Sequence, residues 1–113
     1  MARRQVLILY RGSLLAQGIA SLLRQEEGLE VVSLQVGKEG PAPCGAGLDP
    51  YAIILDSNDL GGQAGLSVLG LLQEHPRAKV ICLSAVDDGL EIYRKYQRTA
   101  TRREELVEVI RST

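Results

Sequence analysis

Phenylalanine and tryptophan are absent from this chain, and only four tyrosines stand in for them. A core without large rings must be packed from Leu, Ile, Val and Ala. Aromatic platforms for stacking single-stranded nucleic acid are correspondingly scarce. Cysteine is nearly absent too: Cys44 and Cys82 are the two in 113 residues. They fit neither a disulfide framework nor a metal-ligand spacing, and Cys82, inside an apolar run, reads as a small buried hydrophobe. Excess charge is also lacking, with 13 basic residues against 14 acidic ones and a net charge of −1. That balance gives no electrostatic ground for binding a phosphate backbone, so no direct nucleic-acid contact is expected. No apolar run approaches a membrane span, and Met1-Ala2-Arg3-Arg4 is followed by neither an h-region nor a cleavage site. A cytoplasmic chain without membrane contact is expected, and its length suits one domain with one core, residues 1–113.

What is present is a set of short apolar runs separated by turn residues. The most informative stretch is Tyr51 to Gly62, YAIILDSNDLGG, where Ala52-Ile53-Ile54-Leu55 ends abruptly on Asp56 and a polar, glycine-bearing loop follows. Such a run is the pattern of a central strand in a parallel sheet covered on both faces. In open α/β sheets, sites are built beyond the carboxyl ends of these strands. Gln5–Tyr10, Leu29–Val36 and Lys79–Ala85 read as further buried strands.

Leu14, Leu15, Gly18, Ile19, Leu22 and Leu23 recur at helical spacing and predict an amphipathic helix over Leu14–Glu26. Ser13 is its candidate N-cap and Gly28 the glycine that ends it. The stretch 37–50 is a poor helix former, since interior Pro and Gly cost roughly 3 and 1 kcal/mol, so a loop with at most a helical turn is expected. Gly65–Glu74 predicts a second helix with Leu66, Leu69 and Leu72 on one face, ended by His75-Pro76, with His75 solvated. Between Val86 and Thr101 neither period fits cleanly. A polar strand over about Glu91–Arg98 is expected in preference to a helix over Asp87–Gln97, because the distance to the last helix leaves no room for both. Thr101 is then the cap of a final helix, Arg102–Arg111, with Glu104 in the capping-box position and Leu106, Val109 and Ile110 inward. The alternation predicts an α/β fold with a mostly parallel, doubly wound sheet.

Three segments, VLILYRGSLLAQGIASLL (6–23), YAIILDSNDLGGQAGLSVLGLL (51–72) and AKVICLSAVDD (78–88), resemble the receiver domain of two-component response regulators. The likeness is greatest to receivers that precede a LuxR-type DNA-binding domain, and EELVEVIRS (104–112) is similar to their last helix. The resemblance implies a flavodoxin-like, five-stranded sheet. The fourth helix is expected to be shortened or missing, because the chain after Ala85 is too short for that helix and the fifth strand together. It also implies a site: an acidic pair after the first strand and an acceptor aspartate hold Mg²⁺, while a hydroxyl after the fourth strand and a lysine after the fifth contact the phosphoryl group. Asp56 falls on the acceptor and Ser84 on the hydroxyl position. The acidic pair falls on Tyr10 and Arg11, neither able to coordinate a hard cation. The lysine position falls on Thr99 and its following proline on Ala100, and Lys95 substitutes only with a shifted register. The loop after Asp56 is longer than the family's, with Leu60 near the usual proline.

Phosphoryl transfer is mostly positioning and charge neutralisation. The expectation is therefore a degenerate pseudo-receiver in which Arg11 lies across the strand ends and pairs with Asp56, supplying permanently the charge that Mg²⁺ supplies reversibly. Ser84 is expected only to bond the strand-end backbone, and Asp87-Asp88 to reflect the charge preference of an N-terminal turn. No catalytic residue, metal or cofactor is expected. The expected partner is another protein or a second copy, met through the 90–111 surface, where Arg94, Lys95, Arg98, Arg102 and Arg103 interleave with Tyr93 and Tyr96. Two other readings stay open. One is a conventional receiver phosphorylated on Asp56. The other is a small nucleotide- or flavin-binding domain that holds phosphate on the Arg11-Gly12-Ser13 turn.

Overall fold

The computed structural model describes residues 4–10, 14–35, 49–56, 68–83, 89–94, 97–102 and 105–111. In chain order its elements are β1 (Arg4–Tyr10), α1 (Leu14–Arg24), β2 (Leu29–Gln35), β3 (Ala52–Asp56), α2 (Val68–Glu74), β4 (Lys79–Leu83), β5 (Gly89–Arg94), β6 (Gln97–Arg102) and α3 (Leu106–Arg111). They form one sheet in the order β2-β1-β3-β4-β5-β6. The pairings β1–β2, β1–β3 and β3–β4 are parallel. Those of β4–β5 and β5–β6 are antiparallel. The expected α/β architecture is present, with one strand more than the five predicted and a mixed rather than uniformly parallel far side.

Strand alternation sends side chains to two separate cores, which is why β3 and β4 are buried along their whole length. On one face Val6, Ile8, Ala52, Ile54, Ile81, Leu83, Leu90 and Ile92 meet Ile19 and Leu23 of α1 and Leu106 and Ile110 of α3. On the other, Leu7, Leu9, Ile53, Leu55, Val80 and Cys82 meet Leu71 of α2. Helices on both faces make the sheet doubly wound. Among the described residues, no helix is long and apolar enough to cross a membrane.

Several expectations need correcting. The face that α1 buries is Ala16, Ile19, Ala20 and Leu23, while Leu14 and Leu22 are 82% and 60% exposed. The small alanines allow close approach to the sheet, and the outer leucines of the stripe are rotated off it. The helix ends at Arg24, and its last turn tightens through Gln25 N–H to Leu22 O (3.2 Å) and Glu26 N–H to Leu23 O (3.0 Å). Gly28 follows at φ 85°, the left-handed turn that leads into β2. Among the described side chains of α2, Leu71 is buried and Leu72 half-buried beside it, while Leu66 and the Leu69 side chain lie outside the described residues. His75 is buried, not solvated. Its N–H donates to Leu71 O and its carbonyl accepts from Ala78 N–H, so the turn into β4 folds the imidazole inward.

The region expected to hold one strand over 91–98 holds two, β5 and β6, joined across residues 95 and 96. Thr101 and Arg102 belong to β6 rather than to a helix start, and α3 begins only at Leu106. The capping role assigned to Thr101 is thereby excluded. Leu106 and Ile110 are buried as expected, and Val109 is half-buried. Ser13, Cys44, nearly all of the 37–50 stretch, the first turn of the predicted second helix, Asp87 and Asp88 lie outside the described residues.

Two glycines test this geometry with opposite signs. A Cβ at Gly18, inside α1, meets nothing within 4 Å, so Gly18→Ala is expected to stabilise the fold by about 0.5–1 kcal/mol. Gly28 is equally uncrowded but left-handed, so Gly28→Ala is expected to destabilise by roughly 1–2 kcal/mol through backbone strain alone. Urea unfolding of both variants checks this, and shifts of the same sign would contradict the assigned backbone.

Candidate functional site

Asp56 closes β3 at the point where the order reverses, between β1 with its neighbour β2 on one side and β4 on the other. This is the position at which doubly wound sheets place their ligands. The β1–β3 register runs from Val6↔Ala52 to Leu9↔Leu55, so Tyr10 and Asp56 are the next residues on their strands. On the other side Asp56 is level with Leu83 of β4. Alternation puts Asp56 on the face of Ala52 and Ile54, and half-buried Tyr10 packs against the same cluster. The carboxylate is therefore bracketed by a phenol-bearing ring and an isobutyl group. It is 4% exposed, and it is not left without a partner, as burial of a charge requires.

Of the residues singled out by sequence, Asp56 and Tyr10 come together at the strand ends. Thr99 does not. It pairs with Ile92 in β6, and Ile92 with Ile81 in β4, so Thr99 stands at the middle of the sheet, two strands beyond β4. The strand beside β4 runs the other way, and β6, which carries Thr99, runs parallel to β4 one strand further out. Arg11 and Ser84, and with them the expected Arg11–Asp56 pair, lie outside the described residues. Among the described residues, no group of three or more His, Cys, Asp or Glu side chains could hold a metal ion.

Sequence reasoning missed a second constellation at the opposite end of the sheet. Arg4 opens β1, Lys79 opens β4 and Arg94 closes the antiparallel β5, so all three reach the same edge. Tyr51, just before β3, lies between two of them: the Arg4 guanidinium carbon is 4.7 Å from its ring centroid and Lys79 Nζ is 5.0 Å from it. Both are within cation–π range. Lys79, only 5% exposed, donates from Nζ to Val109 O at 2.5 Å. That carbonyl belongs to the last turn of α3, where orphan acceptors and the negative end of the helix dipole favour a cation. Burial, then the neighbouring charges of Arg94 and Arg4, lower the Lys79 ammonium from its ordinary 10.5 to about 8. The available signal was a basic residue at the same end of several apolar runs.

Cys82 is chemically quiet. It is level with Glu91 in the β4–β5 register. Burial first, and the Glu91 carboxylate second, push its thiol up to about 12. Glu91 Oε2 accepts a hydrogen bond from the Tyr93 hydroxyl at 2.5 Å. A thiol with so little thiolate is a packing residue, as its place in the apolar run suggests. Comparison with protein-family models, curated proteins and solved structures returned no match to this chain.

Lys79 makes a signed prediction. Below pH 8 both folded and unfolded chains hold its proton, and the cost of burying the charge is fully present. From about pH 8 to 10.5 the unfolded chain alone keeps the proton, so this group makes stability rise with pH in that window. Cys82 acts oppositely above pH 9, where only the unfolded thiol ionises. The difference between the native chain and Lys79→Met therefore isolates the lysine. Unfolding free energies measured from pH 7 to 10.5 should rise more steeply in the native chain; parallel pH profiles would refute the assignment.

Proposed function

We propose that this chain is a degenerate receiver-like signalling module, serving signal transduction or transcriptional regulation by protein–protein contact in the cytoplasm. In this reading Asp56 is outside magnesium-dependent aspartyl phosphorylation and the module is not an enzyme. The observation that carries it is the register of Tyr10. A receiver-type acceptor needs carboxylate oxygens from the end of β1 to seat a hard cation. Here the residue next to the Leu9↔Leu55 pair is a tyrosine packed on the core. Support also comes from Thr99, which sits mid-sheet in β6 and cannot answer for a lysine at the strand ends. What remains useful in such a module is its surface, and the β5–β6 hairpin with α3 supplies the 90–111 face for a protein partner or a second copy.

One observation favours the conventional alternative, a phosphorylated receiver: Asp56 ends β3 at the order reversal, the place a phosphoacceptor occupies. The nucleotide- or flavin-binding alternative rests on the Arg11-Gly12-Ser13 turn alone, and thermal stabilisation by FMN or a nucleotide would speak for it.

Acetyl phosphate with Mg²⁺ separates the first two readings. The expected outcome is no stoichiometric phosphorylation of Asp56 by intact-mass analysis, and no spectroscopic or thermal response to beryllium fluoride with Mg²⁺. Rapid stoichiometric labelling that Asp56→Asn abolishes would sink the proposal.

A further inference from the structure

We infer that β6 is a docking strand for an extended, acidic peptide segment of a partner protein, which joins the sheet beside it. This rests on the reading of the 90–111 face as a contact surface, and adds the partner's chemistry and its mode of binding.

Among the described residues β6 pairs with β5 alone and ends the sheet order. In an antiparallel ladder every second residue of the outer strand turns its N–H and C=O away from its neighbour, leaving a template for another strand. No proline interrupts Gln97–Arg102, so every residue of β6 retains its donor. Strand addition draws affinity from these backbone groups and specificity from alternate side chains.

Charge decides which strand fits. Between Ile92 and Arg103 the chain has Arg94, Lys95, Arg98, Arg102 and Arg103 and no acidic residue. Five of the 13 basic residues lie here, leaving eight basic against 14 acidic residues in the rest of the chain. The near-neutral total conceals a basic hairpin. A second copy joined edge to edge would bring two such strands together, and basic residues on an edge are a device against self-pairing. A strand carrying carboxylates turns the same charges into attraction. Arg98 and Arg102 occupy same-parity positions of β6, about 13 Å apart at the usual rise per residue. A partner strand with acidic residues four apart, or at every second position, matches that spacing.

The probe is a fluorescein-labelled ten-residue peptide alternating glutamate with valine or threonine, followed by fluorescence anisotropy with the full chain. Saturable binding is expected, weakened at least tenfold by N-methylation of alternate peptide amides. A double variant Arg98→Glu/Arg102→Glu should weaken it at least tenfold, and Arg98→Gln/Arg102→Gln by less, both with native far-UV circular dichroism. Binding indifferent to N-methylation would reduce the contact to charge adhesion and overturn strand addition. Tighter binding of a DNA duplex would overturn it in favour of a nucleic-acid surface. Self-association that the same variants abolish would overturn it in favour of a second copy. Beryllium fluoride with Mg²⁺ distinguishes this inference from its parent. No peptide binding by a chain indifferent to beryllium fluoride overturns strand addition alone. Peptide binding that appears only with beryllium fluoride overturns the parent reading and leaves the docking strand standing.

Discussion

Five residues separate Leu83 from Gly89, and that short span decides the rest of the structure. A parallel neighbour for β4 would require the chain to return over the sheet, a crossover of a dozen residues or more. Five cannot make it, so the next strand has to run back alongside β4. Once β5 is antiparallel, the gap at residues 95 and 96 suffices to reverse the chain again, and β6 follows as the outer arm of a hairpin. The extra strand and the reversed polarity of β5 are two expressions of one connection length.

The inner half of the sheet is held by a different constraint. β1, β3 and β4 are covered on both faces and carry Val, Ile, Leu and Ala almost without interruption. With no large rings to fill space, the two cores depend on many branched aliphatic contacts, and the alanines of α1 set how closely that helix approaches. Among the described residues of these strands, the buried charged side chains stand at strand ends. Asp56 is at the carboxyl edge, and Lys79 is at the other, fastened to the carbonyl end of α3. The lysine joins the last helix to the strand beneath it, which a short six-residue helix needs more than a long one does.

The inner sheet was legible because its signals are redundant. Uniform apolar runs, turn residues and their spacing all indicate four strands with a helix after the first and after the third, and the structure has them. The hairpin was obscure because Leu90, Ile92, Tyr93 and Tyr96 mix with basic residues in no clean period. The outer strand, Gln97–Arg102, has no apolar face to announce it. An edge strand needs neither, since one neighbour supplies its hydrogen bonds. The buried face of α1 was misjudged because leucine was weighted over alanine, although close packing against a sheet favours the smaller residue. His75 was taken as solvated because a lone histidine beside proline usually is. Its burial follows from the direction of the turn, which local composition does not encode. At the site, the ends of β1 and β3 could be read from sequence. The fate of Thr99 could not, because it was expected just past a strand ending at about Arg98, whereas it lies inside a sixth strand that runs on to Arg102 beyond β5.

The state of the Asp56 end and the existence of the β6 edge are therefore coupled. A conventional receiver-type site would draw on the carboxyl ends of three parallel strands and a parallel fifth, and the strand beside β4 here is antiparallel. The five-residue connection after β4 puts an antiparallel strand beside it and, in the same step, leaves β6 at the sheet's margin. Thr99 is mid-sheet, but β6 runs parallel to β4, and its Thr101 is level with Asp56 through Leu90 and Leu83. The hairpin that ends the sheet on β6 therefore also decides which residues beyond β4 stand level with Asp56.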